Sequence, residues 1–194
     1  MDGWDDLSGR LIVVSGPSGS GKSTLVRRVL ARPEVRARLS ISATTRASRP
    51  GEEPGRDYLF LSREEFEEAQ ARGEFLEAAE VHGNLYGTPA GPVRADLEAG
   101  RCVLLEIDVQ GALIVREKVP SAFLVFIHAP SLAELEVRLR ARATDDEATI
   151  ARRLANARRE LEQTTSYDKQ MMNENLDQAV EDFVMLLNHY GCGG

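Results

Sequence analysis

The chain is poor in cysteine, has no long apolar run and carries no surplus of positive charge. Each shortage removes a class of protein. Only two cysteines occur in 194 residues, Cys102 in an apolar run and Cys192 in a Gly-rich tail. A disulfide framework and a four-ligand zinc site are both excluded by that count. No apolar stretch approaches the roughly 18 residues that span a bilayer, so no membrane partner is expected. The start, Met1-Asp-Gly-Trp-Asp-Asp6, has neither the basic region nor the apolar core of a signal peptide, and a cytoplasmic location is expected. His82, His128 and His189 are scattered without metal-ligand spacing and read as structural.

Net charge is −7, so a global basic footprint is absent and no nucleic-acid partner is expected. The charge is unevenly spread. Residues 27–49 hold seven arginines against one acid, and residues 138–159 hold seven arginines against three acids. Two basic clusters in an acidic chain suit a small polyanion held locally. With 42% apolar and 28% charged residues, the composition is that of an ordinary globular domain with an ample core.

The chain opens on a short polar segment, residues 1–9. Arg10-Leu-Ile-Val-Val-Ser15 then reads as a strand buried on both faces. A Gly-rich turn follows, and Thr24 to Ala31 reads as a helix. Two more buried strands are expected at Cys102–Val109 and Ala122–His128. Ser62-Arg-Glu-Glu65 and Ser131-Leu-Ala-Glu134 are capping-box patterns that open helices. A further amphipathic helix is marked by Ile150, Leu154, Ala157 and Leu161, and a terminal helix by Ala179 to Leu187.

Gly16-Pro17-Ser18-Gly19-Ser20-Gly21-Lys22-Ser23 matches the pattern G-x-x-x-x-G-K-[ST] in full. Its glycines let backbone N–H groups turn toward phosphate oxygens, and the following helix adds its positive end. Lys22 suits the β and γ phosphates, and Ser23 suits Mg²⁺. Strand before and helix after supply the required context for a nucleoside triphosphate site.

Further along stand Ser42-Ala-Thr-Thr-Arg46-Ala-Ser-Arg49-Pro-Gly-Glu, Gly55-Arg-Asp-Tyr58, Glu77, His82-Gly-Asn-Leu-Tyr86-Gly-Thr88 and Leu105-Glu106-Ile-Asp108-Val-Gln-Gly111. Together with the P-loop, these segments resemble the guanylate kinases, in order and spacing, from about Gly9 to Leu161. The resemblance implies an α/β fold: a P-loop NTPase core with a parallel sheet flanked by helices, a small mixed α/β GMP-binding insertion and a helical lid. The implied division is a flexible N-terminus at 1–9, a core at 10–40, 93–131 and 161–194, the insertion at 41–92 and the lid at 132–160.

The implied activity is Mg²⁺-dependent transfer of the ATP γ-phosphoryl group to GMP. Arg46, Arg49, Tyr58 and Tyr86 would hold the GMP phosphate, with guanidinium forks and phenol donors suited to a dianion. Glu77 and Asp108 would read guanine, with Ser42 and Thr88 helping and Glu106 nearby. Guanine offers N1–H and N2–H₂ as adjacent donors, and adenine does not. Glu106 or Asp108 would also act through water on Mg²⁺, and the residue types leave open which does which. Arg138, Arg142 and Arg153 correspond to lid arginines that would stabilise the transferring phosphoryl group. Oligomeric state is not legible.

Two other readings fit parts of the sequence. Domains of this kind also serve as non-enzymatic interaction scaffolds, which typically lose the P-loop lysine, whereas Lys22 and Ser23 are present here. A P-loop kinase for AMP, dTMP or a sugar phosphate would not need Glu77 with Asp108. The chain also departs from the family pattern. Ala143 stands where glycine is common and Leu85 where a tyrosine is common. Lys169-Gln-Met-Met-Asn173 is polar where an apolar strand is usual. Neither a last core strand nor a contact from Asn173 to the ATP base is read from that stretch.

Overall fold

The computed structural model describes residues 3–81, 83–141 and 146–193. Two sheets organise the chain. The larger is wholly parallel, in the order β2 (Arg38–Leu39), β7 (Cys102–Glu106), β1 (Arg10–Ser15), β8 (Phe123–His128), β9 (Lys169–Met172). Helices α1 (Lys22–Leu30) and α7 (Leu176–His189) cover one face. Helices α3 (Ala90–Glu98) and α4 (Val109–Lys118) cover the other.

The two-sided cover explains the continuous apolar runs. Successive strand residues point to opposite faces. Leu11, Val13, Val103, Leu105, Leu124 and Phe126 enter the core beneath α3 and α4. Ile12, Val14, Leu104, Val125 and Ile127 enter the core beneath α1 and α7. A strand with only one buried face would alternate with polar residues. These do not, because both faces are dry.

The smaller sheet has the order β4 (Leu59–Phe60), β3 (Ala43–Thr44), β6 (Asn84–Pro89), β5 (Phe75–Val81), with α2 (Arg63–Ala71) packed on it. The Ser62–Glu65 capping box forms as the sequence predicts: Ser62 accepts from the Glu65 N–H and the Glu65 carboxylate accepts from the Ser62 N–H. Helices α5 (Leu132–Ala141) and α6 (Glu147–Glu162) pack together beyond the core, and Ser131 accepts from the Glu134 N–H at 3.1 Å.

Four features differ from the sequence reading. Cys102 and Cys192 form a disulfide across 90 residues, so two cysteines, too few for a framework, still make one staple. The strand expected over Cys102–Val109 stops at Glu106, because the Asp108 carboxylate accepts the Gly111 N–H and starts α4. The polar stretch at 169–172 is a strand after all. It lies at the sheet edge and buries only Met171, so it needs no continuous apolar run. The polar start is packed: Trp4 is 7% exposed, with the Arg94 guanidinium carbon 4.4 Å from its ring centroid. No helix among the described residues is long and apolar enough to cross a membrane.

Candidate active site

The C-terminal ends of β1, β7 and β8 converge at one edge of the large sheet, where ligands bind in open α/β folds. The P-loop leaves β1 there. Gly16 has φ of +135°, and a Cβ at this position would lie 2.1 Å from the Ile127 carbonyl oxygen, so only glycine turns this tightly over β8. Lys22 folds back over the loop, donating from Nζ to the Gly16 carbonyl at 2.5 Å and the Pro17 carbonyl at 3.0 Å. Ser23 Oγ donates to Glu106 Oε1 at 2.5 Å, joining the loop to the end of β7. The buried Ser20 hydroxyl has no hydrogen-bond partner among the described residues.

Ser42, Tyr58, Glu77, Tyr86, Glu106 and Asp108 line a single cavity of about 250 Å³. Gly16, Ser18 and Lys22 form its P-loop wall. Glu77 is the most buried of the acids that line it, at 2% exposed. It stands on β5 directly opposite Thr88 on β6, and Thr88 Oγ1 donates to Glu77 Oε1 at 2.6 Å. Burial pushes the Glu77 carboxyl up to about 7. The Thr88 hydrogen bond opposes that rise and the nearby Asp108 charge adds to it. Burial also raises the Asp108 carboxyl, against the backbone N–H groups of Gly111 and Gln110. These two acids belong to different sheets' neighbourhoods and meet only in the folded chain.

The phosphate-type residues are partly assembled. The Arg46 guanidinium carbon lies 5.4 Å from the Tyr58 ring centroid, and the Tyr58 and Tyr86 rings meet edge to face at 6.1 Å. Arg46 Nη2 donates to both Glu52 oxygens, at 2.8 and 3.0 Å, and the Arg49 N–H donates to Glu52 at 2.7 Å. Glu52 thus engages the arginine loop with a bidentate oxyanion, as a phosphate would. The Arg49 side chain is exposed and does not line the cavity.

Of the lid arginines, Arg153 on α6 lines an adjoining cavity of about 530 Å³, with its Nη1 3.4 Å from Ser18 Oγ. Arg138 on α5 is turned to Glu134, at 3.0 Å, and to the Asn173 carbonyl, at 2.9 Å. Arg142 lies outside the described residues.

The family model described as guanylate kinase matches residues 8–190. The chain belongs to the guanylate kinase family. A guanylate kinase of Rubrobacter xylanophilus is 52% identical over 187 residues, covering 96% of this chain and 97% of that one. A guanylate kinase of a Synechococcus strain is 53% identical over 173 residues, covering 89% and 93%. A crystal structure of guanylate kinase from Anaplasma phagocytophilum superimposes with a TM-score of 0.77 at 34% identity, covering 94% of this chain and 86% of that one.

Within this family fold, two residues at the cavity escaped the sequence reading. Gly111 sits where a Cβ would lie 2.6 Å from Glu77 Oε2 and 3.2 Å from Asp108 Oδ1, so the carboxylates approach only because that side chain is missing. Nothing in the sequence marks it beyond its place in the Asp108-Val-Gln-Gly111 motif. Glu160 faces both cavities, and burial raises its carboxyl while Lys22 pulls it down. Its signal was legible: it lies seven residues past Arg153, on the same face of one helix.

Proposed function

We propose that this chain transfers the γ-phosphoryl group of ATP to GMP, giving ADP and GDP, in the cytoplasm. The observation that carries the proposal is the Glu77–Asp108 pair, set in one cavity with Tyr58 and Tyr86 and walled by Lys22 of the P-loop. In its ionised form Glu77 accepts from guanine N1–H and N2–H₂, with Ser42, Thr88 and Asp108 around it. Adenine presents an acceptor at N1 and would leave the buried carboxylate unpaired, which discriminates by roughly 10⁴-fold.

The acceptor phosphate lies with Arg46, Arg49, Tyr58 and Tyr86, and Glu52 gives up its place on Arg46 to it. Lys22 exchanges the Gly16 and Pro17 carbonyls for the β and γ phosphates. Phosphoryl transfer in line to an ionised phosphate oxygen needs no strong general base. Positioning and charge neutralisation supply the rate. Arg138, Arg142 and Arg153 neutralise the transferring group as the lid, residues 132–160, and the insertion, residues 41–92, close on the core. Closure excludes water that would hydrolyse ATP.

The residues fit Mg²⁺ carried on the nucleotide. Among the described residues no group of three or more His, Cys, Asp or Glu forms a metal cage, whereas Ser23 Oγ and Glu106 present adjoining hard oxygen donors beside the P-loop. Ser23 would ligate the ion and Glu106 would act on its water. When bound, Mg²⁺ supplies charge neutralisation on the phosphates. Glu106 therefore serves the metal side and Asp108 the base side.

An acceptor panel of GMP, dGMP, AMP, UMP and dTMP with Mg-ATP tests the proposal. Turnover with GMP should exceed that with AMP by several orders of magnitude. Equal turnover with AMP, or none with GMP from folded protein, overturns it.

A further inference from the structure

Asn173 follows the edge strand β9, is 5% exposed, and contacts three separate parts of the chain. Its backbone N–H donates to the carbonyl of His128, the last residue of β8, at 2.8 Å. Its side-chain Nδ2 donates to the Ser20 carbonyl inside the P-loop at 2.8 Å, across 153 positions of sequence. Its own carbonyl accepts from Arg138 Nη1 of α5 at 2.9 Å. The fit is close: a Cβ on Gly21 would lie 2.3 Å from Nδ2, and Gly21 holds φ of +90°. The amide therefore lies against the loop at Gly21, where a side chain would displace it.

The Ser20 carbonyl and the Gly21 N–H belong to the same peptide group. In a planar trans peptide the two point in opposite directions. A carbonyl held outward by Asn173 leaves the Gly21 N–H aimed the other way, into the loop. A P-loop recognises phosphate oxygens through such inward N–H groups, and their value depends on being fixed before the ligand arrives.

The geometry points to Asn173 as a positioning residue: its side-chain amide orients the Ser20–Gly21 peptide for a triphosphate, and its carbonyl links that peptide to Arg138 on the lid helix. The inference rests on the reading of the P-loop as the triphosphate site and deepens it. Asn173 touches no reacting atom in this role. Its effect passes through backbone N–H groups, so it applies to any triphosphate, whatever base that carries.

Titration calorimetry with inorganic tripolyphosphate tests this directly, because the probe has no base and no sugar. Wild-type protein, Asn173→Ala and Asn173→Leu are compared, each also titrated with GMP and with ATP and melted by heat. Asn173→Leu keeps the branched shape, carries no charge and lacks the donor, so it answers the question even where Asn173→Ala does not fold. Leaving the buried Ser20 carbonyl without its donor should weaken tripolyphosphate by about tenfold or more. ATP should weaken by the same factor and GMP should not change. Tripolyphosphate binding equal to wild type in Asn173→Leu overturns the proposal, and a loss confined to ATP would assign Asn173 to the base instead. Loss of GMP and tripolyphosphate together with a lowered melting temperature would make the role merely structural and also overturns it. The measurement does not depend on phosphoryl transfer, so a wild-type protein that bound tripolyphosphate but did not phosphorylate GMP would refute the activity and leave the Asn173 comparison intact.

Discussion

Thr88 and Glu77 face each other across two antiparallel strands, and the threonine hydroxyl donates to the buried carboxylate at 2.6 Å. The pairing turns a costly feature into a usable one. An isolated carboxylate at 2% exposure would stay protonated well above its usual range. The hydrogen bond from Thr88 offsets part of that cost and the carboxyl is pushed up only to about 7, where its proton is readily lost to solvent and the carboxylate can accept from a ligand rich in donors.

From that titration follows a pH dependence with a definite sign. The folded value lies above the unfolded one, so Glu77 contributes stability that is complete below the unfolded value near 4.5 and lost as pH rises to about 7. The loss amounts to roughly 3 kcal/mol. Denaturant titrations at pH 5 and pH 8 should show Glu77→Gln losing less stability than wild type over that interval. The KM for GMP should fall in wild type as pH rises through 7 and should be flat in Glu77→Gln above pH 7, where the acceptor phosphate is already a dianion. Parallel profiles in the two proteins would refute the assignment.

Gly111→Ala sets two effects against each other. Alanine gains up to about 1 kcal/mol of helix propensity in α4. Its methyl group, however, meets Glu77 Oε2 at 2.6 Å, and displacing a buried side chain costs about 1–3 kcal/mol. A small net loss of stability is expected, with a KM for GMP raised about tenfold and the KM for ATP unchanged. Unaltered GMP kinetics would show that the carboxylate pair tolerates displacement.

Glu106→Gln keeps the shape of the side chain that accepts from Ser23 but removes its charge. If Glu106 serves the metal, the concentration of Mg²⁺ required for half-maximal rate should rise and kcat should fall, with GMP binding intact. A selective loss of GMP binding would return Glu106 to the base-reading side.

The Cys102–Cys192 disulfide fastens the C-terminal tail beneath α1 and α7 to the start of β7. Closing a loop of 90 residues limits the unfolded chain, worth about 4–5 kcal/mol in the chain-entropy limit. Dithiothreitol, or Cys192→Ser, should lower the melting temperature by several degrees without changing the KM for GMP or ATP. The bond lies at the opposite end of β7 from Glu106, so a change in KM would mean that the strand transmits its state to the site.

What was legible in the sequence is what is written locally. The P-loop is eight consecutive residues, so backbone chemistry alone identifies a triphosphate cradle. The double-faced apolar runs of β1, β7 and β8 announce a parallel sheet covered on both sides, because period and burial are read within one strand. The capping box at Ser62 and the cap that Ser131 gives the Glu134 N–H are settled by residues three apart. Glu77, Asp108 and the arginines were nameable only through the resemblance, since single charged residues look alike in sequence.

Tertiary structure alone decided the rest, because those facts are distances between remote residues. Folding showed that Glu106 accepts from Ser23 while Asp108 accepts from the Gly111 N–H within the cavity that holds Glu77, a difference that two acids separated by one residue cannot reveal. Cys102 and Cys192 became a bond only when α7 brought the tail back to β7. The polar segment at 169–172 became a strand because its place at the sheet edge removed the need for apolar residues. Asn173 acquired a partner in Ser20 only once β9 had aligned beside β8. Local pattern reports which groups are available, and the packing of one element on another determines which of them meet.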